Sequence, residues 1–350
     1  MSPPRLPRLV LRADGNPAIG LGHVMRLLAL AEVLHGAFAD CLLVSRDAAA
    51  LAPLLATAGL PALTTLPLPA LPPEAEATWL KANALRPTDV LVLDGYDFGL
   101  AYQQALRPAV GRLVYVDDLR AWPVVADVLI NHSPGIEPAD YELLNPAATL
   151  LLGPAFSLVR PPFRAAAAPP RPPRPIRRVL LCFGGADPLR LTARCLGLLH
   201  ELAELREIGV LAGAANPDGP ALRQQLAAHP DGRCVFHAPT DAAGLVQLLA
   251  RYDAVLCPAS TILIEALLLG LPALTGHYAA NQQPLADFVA AHGQAYSVGN
   301  FAALNDAELQ AELSAGLAHL GHAARQPYAP PLRPDALRAS IAAPLPCRTG

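Results

Sequence analysis

The chain has 350 residues, of which only 16% are charged, and a formal net charge of -3. That length accommodates two domains, each with its own buried core. The near-neutral charge offers no basic field for a nucleic-acid backbone or an anionic membrane, so a small molecule is the expected partner. A single lysine, Lys81, excludes any GxxxxGK[ST] phosphate loop and with it the largest nucleoside-triphosphate-binding class.

Six cysteines are scattered singly with no CxxC pair, a pattern that disfavours structural zinc and suits small buried thiols. The opening "MSPPRLPRLVLRA" lacks an apolar stretch of signal-peptide length, and no segment approaches about 18 uninterrupted apolar residues. The expectation is a soluble, cytoplasmic protein without membrane insertion.

In chain order, short runs rich in Val, Leu and Ile alternate with longer helical stretches, the pattern of βαβ units and parallel sheets. The first strand, "RLVLRA", leads into "GNPAIGLGHVMR" at residues 15–26, where Gly20, Gly22 and His23 fall at the start of an amphipathic helix. Free amides and the helix dipole make such an end an anion site. The dinucleotide fingerprint GxGxxG fails because its third glycine would fall at Met25. An imidazole at that turn is either a partly exposed surface group or a base able to deprotonate water or a hydroxyl near neutral pH.

Further strands are expected in "DCLLVS", "DVLVLDG", "RLVYVDD" and "ADVLINH". Polar residues follow three of them: Asp94, Gly95, Tyr96 and Asp97; Asp117 and Asp118; Asn131, His132 and Ser133. Each carboxylate alone could be a helix cap, but clusters at several strand ends converge on one sheet edge, where ligands of open parallel sheets bind. Asp117 and Asp118 lack a third carboxylate at ligand spacing, so no metal is expected.

Residues 160–178, "RPPFRAAAAPPRPPRPIRR", read as a stiff extended linker because their prolines lack backbone donors. They separate a first domain at 1–159 from a second at 179–325. The second half repeats the pattern with strands in "RRVLLCFGG", "EIGVLAG", "RCVFHAP", "DAVLCPAS" and "LPALTGHY". Gly184 and Gly185 would admit a phosphate, with Asp187 as the cap of the next helix. Ser260, Thr261 and Ile262 open a helix that carries Glu265, a lone acid among apolar residues. That carboxylate requires a partner: a ribose diol, an arginine or solvent. Asn281 begins the element after the last of these strands. The Pro-rich tail, 326–350, either packs back on the first domain or frays.

The order GxGHxxR, DxYx, DD, NxS, GGxD, S-[ST]-x-x-x-E-A and NQ, over residues 8 to about 300, resembles the UDP-2,4-diacetamido-2,4,6-trideoxy-β-L-altropyranose hydrolases of pseudaminic acid biosynthesis. The resemblance implies the GT-B fold of glycosyltransferases such as the one that forms lipid II: two Rossmann-like α/β domains with parallel sheets facing across a cleft. It implies hydrolysis of a UDP-linked acetamido sugar without metal or cofactor, His23 activating water for inverting attack at the anomeric carbon. Gly20, Leu21, Gly22 and Val24 would border sugar and phosphates, and Tyr96 the diphosphate. Ser260, Thr261 and Ile262 would border the nucleotide, Glu265 the ribose and Asn281 the sugar-phosphate end, while Arg160 matches an arginine at the interdomain crossover. The competing expectations are a glycosyltransferase on the same fold, with His23 acting on an acceptor hydroxyl, and a nucleotide-sugar-binding subunit without catalysis. Sugar identity and oligomeric state stay open.

Overall fold

A computed structural model describes residues 6–16, 19–56, 60, 63–185, 187–213, 216, 218–227, 232–328 and 331–345. Two units emerge, each built on a sheet whose strand pairings are all parallel. The chain is α/β, as its alternation of apolar runs and helical stretches leads one to expect.

The first unit comprises the described residues of 1–15, 23–158 and 330–350. Its strands are β1 (Leu9–Arg12), β2 (Cys41–Ser45), β3 (Leu63–Pro67), β4 (Val90–Asp94), β5 (Arg112–Val116), β6 (Val128–Asn131) and β7 (Thr149–Leu152), in the order β3-β2-β1-β4-β5-β6-β7. The chain runs outward from β1 to β3 and then returns to the other side of β1 as β4. This reversal makes the carboxyl ends of β1 and β4 a switch point, where the connections diverge and leave a crevice. Registers such as Arg12 opposite Leu93 bring those two ends level. β1, β4, β5 and β6 are buried along their whole length, which is why they read as continuous apolar runs.

The second unit comprises the described residues of 16–22 and 159–329. Its strands are β8 (Arg178–Leu181), β9 (Glu207–Leu211), β10 (Cys234–His237), β11 (Ala254–Pro258), β12 (Ala273–His277) and β13 (Tyr296–Asn300), in the order β10-β9-β8-β11-β12-β13. Val179, Leu181, Ile208, Val210, Leu256 and Leu274 of the sheet pack with Leu196, Leu199, Leu313 and Leu317 of helices Leu191–His200 and Asp306–His322.

Three strands escape the sequence pattern: β3, β7 and β13. All are outer strands, and none is buried throughout, so none needs a continuous apolar run.

Of the segment expected to be an extended linker, residues 161–165 are helical and the rest carry no helix or strand up to β8. Its first residues form a short helix, Pro161–Ala165, because proline is tolerated in a first turn, where its missing donor has no intrahelical acceptor. Phe163 is fully buried, Ala168 N–H donates to Leu268 at 2.8 Å, and Arg171 N–H donates to Gly270 at 2.9 Å. The segment is therefore bonded into the second unit.

The tail returns to the first unit through helix Pro334–Ile341, burying Leu337 and Ile341. The Arg112 guanidinium donates to the carbonyls of Ile341 and Ala343 at 2.7 Å each and of Pro344 at 3.3 Å. Arg338 donates to the carbonyls of Val33 and His35, just past helix Gly22–Val33, at 3.0 and 2.7 Å. Residues 346–350 lie outside the described residues.

Candidate functional site

The turn after β1 is closed by Gly20 N–H donating to Asn16 O at 2.8 Å, with Gly20 at φ 79°, a conformation that favours glycine. Helix Gly22–Val33 then begins with no acidic residue in its first turn. A Cβ at Gly20 or Gly22 would meet nothing within 4 Å, so the backbone there is open on its outer side. Leu21 is partly buried and Val24 fully so; only the backbone of Val24 could border a ligand.

His23 and Arg26, three residues apart, share one face of this helix and turn into the first unit. Both meet Asp94, which ends β4 and is fully buried. Arg26 donates to both Asp94 oxygens, Nη2 to Oδ1 at 2.6 Å and Nε to Oδ2 at 3.0 Å, and its Nη1 donates to Asp118 at 2.8 Å. His23 Nδ1 lies 2.7 Å from Asp94 Oδ1 and 2.8 Å from Arg26 Nη2.

The tautomer follows from chemistry. A guanidinium only donates and a carboxylate only accepts, so Nδ1 serves one of them. Arg26 Nη2 has two N–H groups, one of which serves Asp94 Oδ1. A lone pair on Nδ1 would point at a buried carboxylate oxygen, whereas Nδ1–H satisfies it. The proton therefore sits on Nδ1, and Nε2, which has no hydrogen-bond partner among the described residues, keeps its lone pair. This is the arrangement of a general base fixed by an orienting aspartate.

Two groups around His23 are shifted by their surroundings. Burial alone would raise the Asp94 carboxyl, but the Arg26 charge and the hydrogen bonds from His23 and Arg26 hold it below its ordinary value. Burial and the Arg26 charge push His132, after β6, down to about 4, so that it is neutral near pH 7. Its Nδ1 is buried without a partner. The Tyr96 ring meets the His23 imidazole edge-on, with centroids 4.6 Å apart, while 42% of Tyr96 is exposed. Asp117 is a turn-former: it accepts from the amides of Leu119 and Arg120 and, at 2.7 Å, from the Tyr141 hydroxyl. Tyr141 in turn accepts from Asn131.

In the second unit the arginine alternative for Glu265 is realised. Arg160 donates to both carboxylate oxygens, at 2.7 and 2.6 Å, and Glu265 is 1% exposed. Ser260 is the N-cap of helix Thr261–Leu268 but makes no side-chain cap, and no acid stands in the first turn. Ser260 and Thr261 are partly exposed, and Ile262 is buried. Gly184 has φ 82° with open space where a Cβ would stand, and it leads to Gly185; Ala186 lies outside the described residues. Asp187 caps helix Leu191–His200 through the amides of Leu191 and Thr192, both at 2.8 Å. Asn281 sits in the short 3-10 turn Ala280–Gln282 after β12.

Sequence reasoning missed the pairing of Asp94, Arg26 and Asp118 with His23. The available signal was Arg26 itself, a charge on the apolar side of "HVMRLLALAEVL", which required a buried counter-charge. Also missed was a second ion-pair group at the end of β1. Arg12, 1% exposed, donates to Glu76 at 2.7 Å and to Asp14 at 2.6 and 2.8 Å. Arg46 donates to Glu76 and, through its amide, to Asp14, while the Tyr102 hydroxyl donates to Glu76 at 2.6 Å.

Among the described residues no three His, Cys, Asp or Glu side chains are grouped to hold a metal ion, and no helix is long and apolar enough to cross a membrane.

No family model matches the chain. It is 23% identical over 289 residues, 82% of this chain and 97% of the relative, to UDP-2,4-diacetamido-2,4,6-trideoxy-β-L-altropyranose hydrolase of Campylobacter jejuni. It is 26% identical over 149 residues, 42% of this chain and 43% of the relative, to the spore coat polysaccharide biosynthesis protein SpsG of Bacillus subtilis. Similar solved structures include Staphylococcus aureus MnaA with UDP, at TM-score 0.63 and 13% identity with 96% of each chain covered. Acinetobacter baumannii MurG aligns at TM-score 0.55 and 15% identity, covering 96% of this chain and 95% of that one. These likenesses establish the fold class, that of GT-B enzymes.

Proposed function

We propose that this protein hydrolyses a UDP-linked acetamido sugar, of the 2,4-diacetamido-2,4,6-trideoxy type, to free sugar and UDP. The observation that carries this reading is the His23–Asp94 contact at the β1/β4 switch point, with Nδ1–H tied to a buried carboxylate and Nε2 left as the acceptor. The likeness to the Campylobacter hydrolase along most of both chains supports it.

In this reading His23 Nε2 takes a proton from water as the water oxygen bonds to the anomeric carbon. The bond from that carbon to the UDP oxygen breaks, and its electron pair leaves with UDP. Attack opposite the leaving group inverts the carbon. UDP already leaves well, so the site has to aim one water and accept one proton, a task worth about 10²–10⁴-fold for a well-placed base. The Gly20–Gly22 turn and the amides of Thr261 and Ile262 would meet the phosphates and nucleotide. Within the second unit Gly184, Gly185 and Asn281 would line the nucleotide side; within the first, Tyr96 stands against His23. Glu265, held by Arg160, would present its remaining lone pairs to the ribose.

UDP release from a panel of UDP-acetamido sugars, without acceptor, tests the proposal in the wild type and in His23→Ala. The expected result is rapid release from a 2,4-diacetamido sugar, and a His23→Ala variant that binds UDP with unchanged Kd but does not turn over. UDP appearing only when an acceptor is added would overturn hydrolysis in favour of glycosyl transfer; unchanged release by His23→Ala would remove the base.

A further inference from the structure

Around the His23–Asp94 contact stands a group of charged and polar side chains. Arg26, on the same helix as His23, is the cation between Asp94 at the end of β4 and Asp118 after β5. Asp117 beside it is held by amides and by the hydroxyl of Tyr141. Tyr115 of β5 faces the same acids and has its phenol pushed up, first by burial and then by Asp117, Asp118 and Asp94. From β6, His132 contributes a neutral imidazole, and from the loop after β4 Tyr96 contributes a ring edge. Two carboxylates, Asp94 and Asp118, are paired to one guanidinium, so these three side chains carry a surplus negative charge while His23 is neutral, and Asp117 beside them adds to it.

We propose that Asp118 is a positioning residue acting through Arg26: it cancels the guanidinium charge that would otherwise oppose protonation of His23, and it holds the fork that fixes Asp94. The inference rests on the reading of His23 as the base. Arg26 alone would work against that base, because a cation 2.8 Å from the ring disfavours an imidazolium. Asp118 removes the conflict from the far side of the guanidinium, at 2.8 Å from Nη1 and with its side chain 12% exposed.

The test is a direct titration of the His23 imidazole by NMR, in the full chain with histidine ring labelling, assigned by difference against His23→Gln. Asp118→Asn removes the charge and keeps the shape. The midpoint of His23 is expected to fall by about one pH unit, because the uncancelled Arg26 cation and the lost anion act in the same sense. Asp118→Glu keeps the charge and is expected to restore most of the wild-type midpoint. A purely structural Asp118 would lower turnover at every pH without moving the midpoint. An unmoved or raised midpoint in Asp118→Asn, with a wild-type-like spectrum elsewhere, overturns the inference. If Asp118→Asn does not fold, Asp118→Ser gives the second readout: an unmoved or raised His23 midpoint there refutes the inference. The titration needs no substrate, whereas UDP release and its loss in His23→Ala test the base; either can fail alone.

Discussion

Two ion-pair groups lie along the carboxyl edge of the first sheet, and they are built to opposite ends. Around Arg12, two guanidinium groups, Arg12 and Arg46, meet two carboxylates, Asp14 and Glu76, and Tyr102 adds a donor. The Phe98 ring lies 5.3 Å from the Arg12 guanidinium. Each of the two guanidinium groups has a carboxylate within 2.7 Å, and Asp97 lies 3.9 Å from Arg46 at the rim. Around Arg26 the acids outnumber the cation. Around Arg12 the close contacts all join opposite charges, whereas around Arg26 an excess of acid stands beside an imidazole whose Nε2 has no hydrogen-bond partner among the described residues.

Substitutions should separate the two. Asp94→Asn leaves the shape but offers His23 an amide, which no longer fixes the Nδ1 proton. Turnover is expected to fall by about 10³–10⁴-fold with the Kd for UDP unchanged, read from single-turnover UDP release and calorimetric titration. Breaking the balanced group should act on stability instead. Glu76→Ala breaks a buried ion pair and leaves Asp14 as the one close acid for Arg12 and Arg46, and is expected to cost about 3–5 kcal/mol in denaturant unfolding, with turnover per folded molecule preserved. A large kcat loss in Glu76→Ala would dissolve the distinction. Tyr102→Phe removes one charge-assisted hydrogen bond to Glu76, so a loss of about 1.5–3 kcal/mol is expected, again without a kinetic effect.

A further effect is one of pH. His132 is depressed to about 4 in the folded chain from an ordinary 6.5, so between those values the unfolded chain binds a proton that the folded one refuses. Stability due to this residue is complete above about pH 6.5 and is lost as pH falls toward 4, with a slope of at most about 1.4 kcal/mol per pH unit. His132→Asn should flatten that stretch of the stability profile; a profile as steep as the wild type would assign the slope to other groups.

The inner strands were legible because burial on both faces demands apolar runs, and the polar residues that follow them marked the functional edge. The partnerships were not. Arg26 reaches acids 68 and 92 positions away, a separation that only the strand order β1-β4-β5 brings close. Arg12 in the strand "LVLR" carried the same signal as Arg26, a charge where the pattern called for an apolar residue. Its partner Glu76 lies in helix Pro73–Asn83, whose polar composition gave no hint that one of its acids is buried. For Glu265 the residue type demanded a partner but could not choose between an arginine and a ribose; Arg160, 105 positions away, is the one present.

The return of residues 331–345 to the first unit also bears on how the chain is made. Because synthesis proceeds from the amino terminus, all the strands of the first sheet are translated before β8, yet the segment that Arg112 holds through three carbonyls is translated after every strand of the second. The second unit can finish folding as it emerges, while the first must wait with an open seat for its closing helix, and the Arg112 guanidinium must stay hydrated until those carbonyls arrive.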